Sequence, residues 1–189
     1  MINSIQAIGK ISEVLLIIAA ILIILSATLT ISFNASTMHK RKKMRLAVEA
    51  LLKEYVEKDI ENNSLEKSLV PDYDYIFSTK DAKIYIMLVP NFTEGEICIN
   101  APTKWQVRRN YEDTSLHFVP RVDRLMRFEP PYEEGKKTKR LYIIYPSTRS
   151  LLRYINECEM EFVRPTTDVN GTNVISYSEL LDHKDFIDL

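Results

Sequence analysis

The sequence predicts an α/β domain carried behind one membrane-spanning helix. Three observations carry that prediction. Residues 14–33, VLLIIAAILIILSATLTISF, run without a charge, matching the roughly 20 apolar residues that cross a bilayer core. Farther on, KIYIMLV (83–89) and RLYIIYP (140–146) are short and apolar at nearly every position, as strands buried on both faces are. Around them lie segments whose apolar residues recur at helical spacing.

The span divides the chain into an extracytoplasmic N-terminus (1–13), a transmembrane helix (14–33), a basic juxtamembrane linker (34–45) and a domain (46–189). The uncharged run exceeds the apolar region of a cleaved signal peptide, and its small-residue stretches match a cleavage site only loosely. Lys10 and Glu13 precede it, whereas Lys40, Arg41, Lys42, Lys43 and Arg45 follow. Positive charge stays on the cytoplasmic side, so the N-terminus is expected outside and the domain in the cytoplasm. The same cluster attracts anionic head groups at about 1 kcal/mol per basic residue. The cell membrane's lipid bilayer is therefore the first expected partner.

A net charge of −1 hides an asymmetry, because residues 1–45 hold six Lys/Arg against Glu13 alone. The remainder is acidic, which argues against a general nucleic-acid binder, although residues 104–140 hold ten Lys/Arg against six Asp/Glu. Cys98 and Cys158 lack metal or redox spacing, and a cytoplasmic domain keeps them reduced. Cys98 alternates within an apolar strand and reads as core. His39, His117 and His183 are too scattered for a His-based zinc site.

The elements follow in order. After a polar break at NASTMHK (34–40), residues 40–60 form a helix with Met44, Ala47, Val48, Leu51, Leu52, Tyr55 and Val56 on one stripe. ENNSLEKSLVP (61–71) is a polar link. YDYIF (73–77) and KIYIMLV pair around a turn at Ser78 to Asp81, and EICIN (96–100) adds a third strand. TKWQVRRN (103–110) reads as a strand edge bearing Trp105, and PRVDRLMRF (120–128) spaces Val122, Leu125 and Met126 helically. EPPYEEGKKTK (129–139) is a polar loop before the strand RLYIIYP. STRSLLRYINECE (147–159) is expected as a helix N-capped by Ser147, with Leu151, Leu152 and Ile155 on one face. MEFVRP (160–165) supplies a strand, and NVISYSELL (173–181) a closing strand-to-helix segment after the DVNGTN turn. One mixed sheet flanked by helices is the natural packing.

Many metal-dependent nucleases converge acidic residues on one or two Mg²⁺ ions and add a lysine near the scissile phosphate. An acidic strand followed by a strand ending in Glu-x-Lys delivers those groups to one sheet edge. In that light residues 44–182 resemble the nuclease-related domain (NERD) family, a branch of the restriction-endonuclease-like fold. YDYIF resembles its strand with a metal-binding Asp, here Asp74, and KIYIMLVPNF (83–92) its next strand. GEI (95–97), Trp105 and YIIYPSTRSLLRYINECE (142–159) follow in the family's order. The chain departs where Leu88 replaces the family's Glu and Pro90 its Lys. FVPRVD (118–123) only partly echoes an Asn-Pro…Gln segment, and VEA (48–50) keeps Glu49 as its acid.

The resemblance implies a catalytically degenerate module that binds nucleic acid or protein and needs no cofactor. Two alternatives stay open. One is an active Mg²⁺-dependent nuclease with Asp74, Glu94 and Glu96 as metal ligands, Glu49 and Glu96 assisting, and Lys104 replacing the lysine. The other is a purely structural partner of another membrane protein or of a cytoplasmic one. Asp72 with Asp81 and Lys83 spells a second PD…DxK string, but Asp81 and Lys83 flank a turn at the wrong end of the strand. YPST (145–148) reads as capping, with no histidine nearby to act as base.

Overall fold

The apolar run and the basic stretch after it fold as one helix, α1 (Ile2–Lys58). The expected break at residues 34–40 is helical. Those residues include no Gly or Pro; Asn, Ser and Thr each cost at most about 0.7 kcal/mol, and established helix propagates through such a gap. The structure is a computed structural model describing residues 2–109, 117–156 and 159–182, with side chains from Leu15 onward. Cys158 and His183 lie outside the described residues.

The chain divides into two compact units, residues 1–42 and 43–189. In the first, apolar side chains stand in the open, with Leu16 70% and Ile31 68% exposed. This helix is long and apolar enough to cross a membrane. The hydroxyls of Thr28 and Thr30 donate back to the carbonyls of Leu25 (2.8 Å) and Ser26 (2.9 Å). Neither hydroxyl therefore brings an unpaired donor into the apolar run.

The second unit contains β1 (Ser64–Lys67), β2 (Tyr75–Ser78), β3 (Ala82–Pro90), β4 (Glu96–Ala101), β5 (Lys104–Arg108) and β6 (His117–Phe118). It continues with α2 (Val122–Arg127), β7 (Lys137–Tyr145), β8 (Leu151–Tyr154), β9 (Met160–Phe162), β10 (Asn173–Ser176) and α3 (Tyr177–Asp182). These strands make two sheets, ordered β1-β2-β3-β7-β10 and β6-β5-β4-β8-β9. In the first, β3, β7 and β10 run parallel, with β2 and β1 added antiparallel.

Strand alternation sorts the core. Ile84, Ile86 and Leu88 of β3 face Met44, Val48, Leu51, Leu52 and Tyr55 of α1, the stripe expected from sequence. Tyr85, Met87 and Val89 face the second sheet through Ile97, Ile99, Trp105 and Leu151. Each such buried aliphatic side chain contributes about 1.5–3 kcal/mol.

Several expectations need correction. The expected single sheet is two. The segment around Leu151 is strand β8 rather than a helix. Leu151 pairs with Ile97 and Leu152 with both Cys98 and Phe162, so pairing on both sides overrides a short pattern that fits either period. Ser147 caps no helix, because the residues after it lead into β8, and its carbonyl accepts a bond from Asn91. Trp105 lies on an interior strand, between β4 and β6. The expected polar link contains β1, an edge strand whose exposed Glu66 and Lys67 hide it from hydrophobic patterning.

β3 and β7 leave the first sheet side by side and enter the second as β4 and β8, again side by side. Asn91, 3% exposed, stitches this crossing. Its N–H donates to the Tyr145 carbonyl (2.8 Å), and Nδ2 donates to the carbonyls of Gly95 (2.8 Å) and Ser147 (2.9 Å). Its Oδ1 accepts the Gly95 N–H at 3.2 Å. A Cβ on Gly95 would lie 2.7 Å from the Arg108 carbonyl oxygen, too close for any side chain.

Asn91→Leu strips partners from the Ser147 carbonyl and the Gly95 N–H. At about 1–3 kcal/mol per buried group left unsatisfied, the two together are expected to cost about 2–6 kcal/mol. Gly95→Ala is expected to destabilise by forcing the backbone apart. Urea unfolding of the purified chain, followed by the single tryptophan, Trp105, measures both; unchanged midpoints would refute this account of the crossing.

Candidate functional site

Asp74 stands immediately before β2, its backbone fixed on two sides. Its N–H donates to the Ile86 carbonyl (2.7 Å), and its carbonyl accepts the Ser68 N–H (3.0 Å). Alternation along β3 aims the Leu88 N–H the same way as the Ile86 carbonyl, past the point where β2 still pairs. Asp74 Oδ2 accepts that N–H at 2.8 Å. Oδ1 lies 3.5 Å from Arg45 Nη2 and 3.7 Å from Arg121 Nη1. The Asp74 side chain is 8% exposed, against 60% for Arg45 and 34% for Arg121.

Both arginines are placed by local structure. Arg45 is carried on α1. Arg121 precedes α2 in a left-handed conformation (φ 69°), and its Nη2 donates to the Pro71 carbonyl at 2.9 Å. One turn beyond Arg45, Glu49 pairs with Lys53 on α1 and Lys67 on β1, each at 2.9 Å. The bonds from Lys67 and then Lys53 hold its carboxyl below the ordinary value of 4.5. Tyr75 lies within electrostatic reach of both acids, and its hydroxyl donates to the Arg45 carbonyl (3.4 Å). Burial first, then Glu49 and Asp74, push its phenol up to about 12, so it stays protonated.

The fold thus brings Glu49 and Asp74 to one place. The contacts of Glu94 and Glu96 lie in the crossing and in the second sheet. Glu94 sits in a turn at φ 51°, where its carbonyl accepts the Arg149 N–H. Glu96 begins β4 in the second sheet, accepting the Ser150 hydroxyl (2.7 Å) and facing Arg108 (3.4 Å). Among the described residues no group of three or more His, Cys, Asp or Glu comes together. Leu88 is buried against α1, and Pro90 ends β3 opposite Tyr145. Lys104 opens β5 in the second sheet, opposite Ala101.

The second acidic string disperses. Asp72 lies in the turn before Asp74, the Asp81 carbonyl accepts the Lys137 N–H, and Lys83 pairs with Glu133. Cys98 is buried, and burial above all pushes its thiol up, against nucleophilic use.

Arg45, Arg121, Lys53 and Lys67 therefore surround two carboxylates. A cation approaching Asp74 meets two guanidinium groups, whereas an anion meets net positive charge. Comparison with family models, curated proteins and solved structures gave no match. The site therefore stands on its own geometry. Sequence reading missed the arginines: Arg45 looked like a juxtamembrane anchor charge, and Arg121 reaches Asp74 only through the fold.

Asp74→Ala leaves the Leu88 N–H without its acceptor and is expected to cost about 1–3 kcal/mol. Asp74→Asn is expected to cost less, since its amide oxygen still accepts. Equal effects in urea unfolding would contradict the assigned bond. Because the folded carboxyl of Glu49 is depressed, its contribution is full above the unfolded value and disappears as pH falls through the folded one. The stability gap between wild type and Glu49→Gln is therefore expected to close on acidification below 4.5. It should also narrow with salt, because Lys53 and Lys67 are 61% and 66% exposed.

Proposed function

We propose that this chain is a single-pass membrane protein whose domain is a NERD-like module that has lost nuclease chemistry and works by binding. The observation that carries this reading is the commitment of the Asp74 carboxylate to the Leu88 N–H, flanked by Arg45 and Arg121. A nuclease would direct that carboxylate at a metal and add a second acid beside it. Here the neighbouring position is Leu88, and Pro90 stands where a phosphate-facing lysine is required.

The antiparallel β2–β3 pair with Asp74 at its edge, and β7 parallel beside β3, support a restriction-endonuclease-like reading of the first sheet. The apolar helix supports membrane anchoring, and the basic residues 40–45 favour a cytoplasmic domain. The excess of cations around Glu49 and Asp74 favours an anionic partner, for which nucleic-acid phosphate is the leading candidate.

The test is incubation of the detergent-purified chain with single- and double-stranded DNA and RNA in Mg²⁺ or Mn²⁺. The expected result is no cleavage attributable to Asp74, with salt-dependent binding weakened in an Arg45→Ala/Arg121→Ala variant. Loss of two phosphate contacts should lower the slope of log affinity against log salt by about 2. Cleavage abolished by Asp74→Ala would replace this reading with that of an active nuclease.

A further inference from the structure

The other end of the first sheet carries lysines that no carboxylate answers. Lys137 and Lys139 open β7 opposite Ala82 and Ile84 of β3, and strand alternation puts both on one face. That face continues inward through Leu141 and Ile143, which are buried under α1. Two residues of strand separate the lysines by about 6.6 Å. Lys137 is exposed and Lys139 half-buried. The β2–β3 turn, which carries Lys80, is fastened to the same end: the Lys137 N–H donates to the Asp81 carbonyl and the Thr79 N–H to that of Ala82, both at 2.8 Å.

Of the other half-buried cations, Lys83 pairs with Glu133 and Arg153 with Glu161, whereas Arg140 donates to the Phe128 carbonyl (2.8 Å) and leaves its buried Nε without a partner among the described residues. Among the described residues, Lys80, Lys137 and Lys139 have no ion-pair partner. Lost hydration first, and then Lys137, hold the Lys139 ammonium below its usual range. A half-buried ammonium beside a like charge costs stability that nothing in the sheet offsets. A bound anion would remove that cost.

We propose that Lys137 and Lys139 form a binding site for a phosphate group, supplied by a phospholipid head group or by a soluble phosphate compound. Two compact ammonium donors on one strand face suit the multiple charge and oxygens of phosphate, which lysine binds as a point charge. The head-group source rests on the membrane anchoring proposed above; the phosphate chemistry does not. Asp74 meets β3 at Leu88, while these lysines meet it at Ala82 and Ile84, roughly 13–20 Å away along the strand. The two sites can therefore fail separately.

Differential acetylation of the full chain in detergent, read by mass spectrometry, tests the proposal. Inorganic phosphate is expected to slow modification of Lys137 and Lys139 more than chloride does at equal ionic strength, leaving the exposed Lys104 of the second sheet unchanged. Lys139→Met is expected to weaken phosphate binding about tenfold by calorimetry while raising the melting temperature without phosphate. Arg45→Ala/Arg121→Ala is expected to leave the phosphate protection of Lys137 and Lys139 intact. In phosphatidylcholine vesicles, protection gained on adding phosphatidic acid assigns the head group, and protection gained only with inorganic phosphate assigns a soluble ligand. Equal protection by phosphate and chloride overturns the site, as does protection confined to added oligonucleotide.

Discussion

Two neighbouring strands cross from one sheet to the other in step, and Asn91 keeps them in step. β3 and β7 form the centre of the first sheet, while their continuations β4 and β8 pair in the second. The Asn91 N–H extends the parallel ladder by donating to the Tyr145 carbonyl, while Pro90, which has no N–H, leaves no unpaired donor on the side that β2 has vacated. The Asn91 side chain then spends both donors and its oxygen on the two crossing segments. A buried amide with every group satisfied fixes geometry in a way that an apolar residue cannot. Both faces of β3 depend on that geometry, because each packs into a different core.

Asp74 inherits its position from this arrangement. β2 stops pairing with β3 after Tyr75 meets Ile86, which leaves the next inward-facing N–H, that of Leu88, without a strand partner. The carboxylate takes the place of the missing strand. A carboxylate used this way completes a sheet edge, and the surrounding arginines neutralise it. Leu88 itself contributes about 1.5–3 kcal/mol by burial, where a glutamate at a position 4% exposed would need a counter-charge. The burial of position 88 therefore favours leucine over a charged residue.

What was legible in the sequence follows from how local the cause was. The stripe on α1, the apolar β3 and β7, and the β10-to-α3 ending announce themselves by period and composition. β8 did not, because Leu151 and Leu152 fit either period and only their partners Ile97, Cys98 and Phe162 decide between strand and helix. β1 did not, because an edge strand with Glu66 and Lys67 in the open carries no apolar signal. The division into two sheets depends on the crossing at Asn91, and one buried asparagine in a loop has no periodic signature. Of the cluster, Glu49 and Asp74 stood out in the sequence only as candidate acids; most of the ion pairs around them join residues far apart in the chain.

The partners of each cation indicate what it is for. Lys53 and Lys67 hold Glu49 at 2.9 Å, within the range of tight charge-assisted bonds, whereas Arg45 and Arg121 stand 3.5 and 3.7 Å from Asp74 and keep donors free to turn outward. Close pairs of the first kind stabilise the fold and leave little for a ligand. The looser arginines have a carboxylate to rest against and, at 60% and 34% exposure, room for an incoming anion. Lys139 has no such resting partner. The domain's net acidity therefore gives a poor account of its surface: acidic charge is paired off where it meets the arginines and lysines of the site, and positive charge is left over where an anion can reach it.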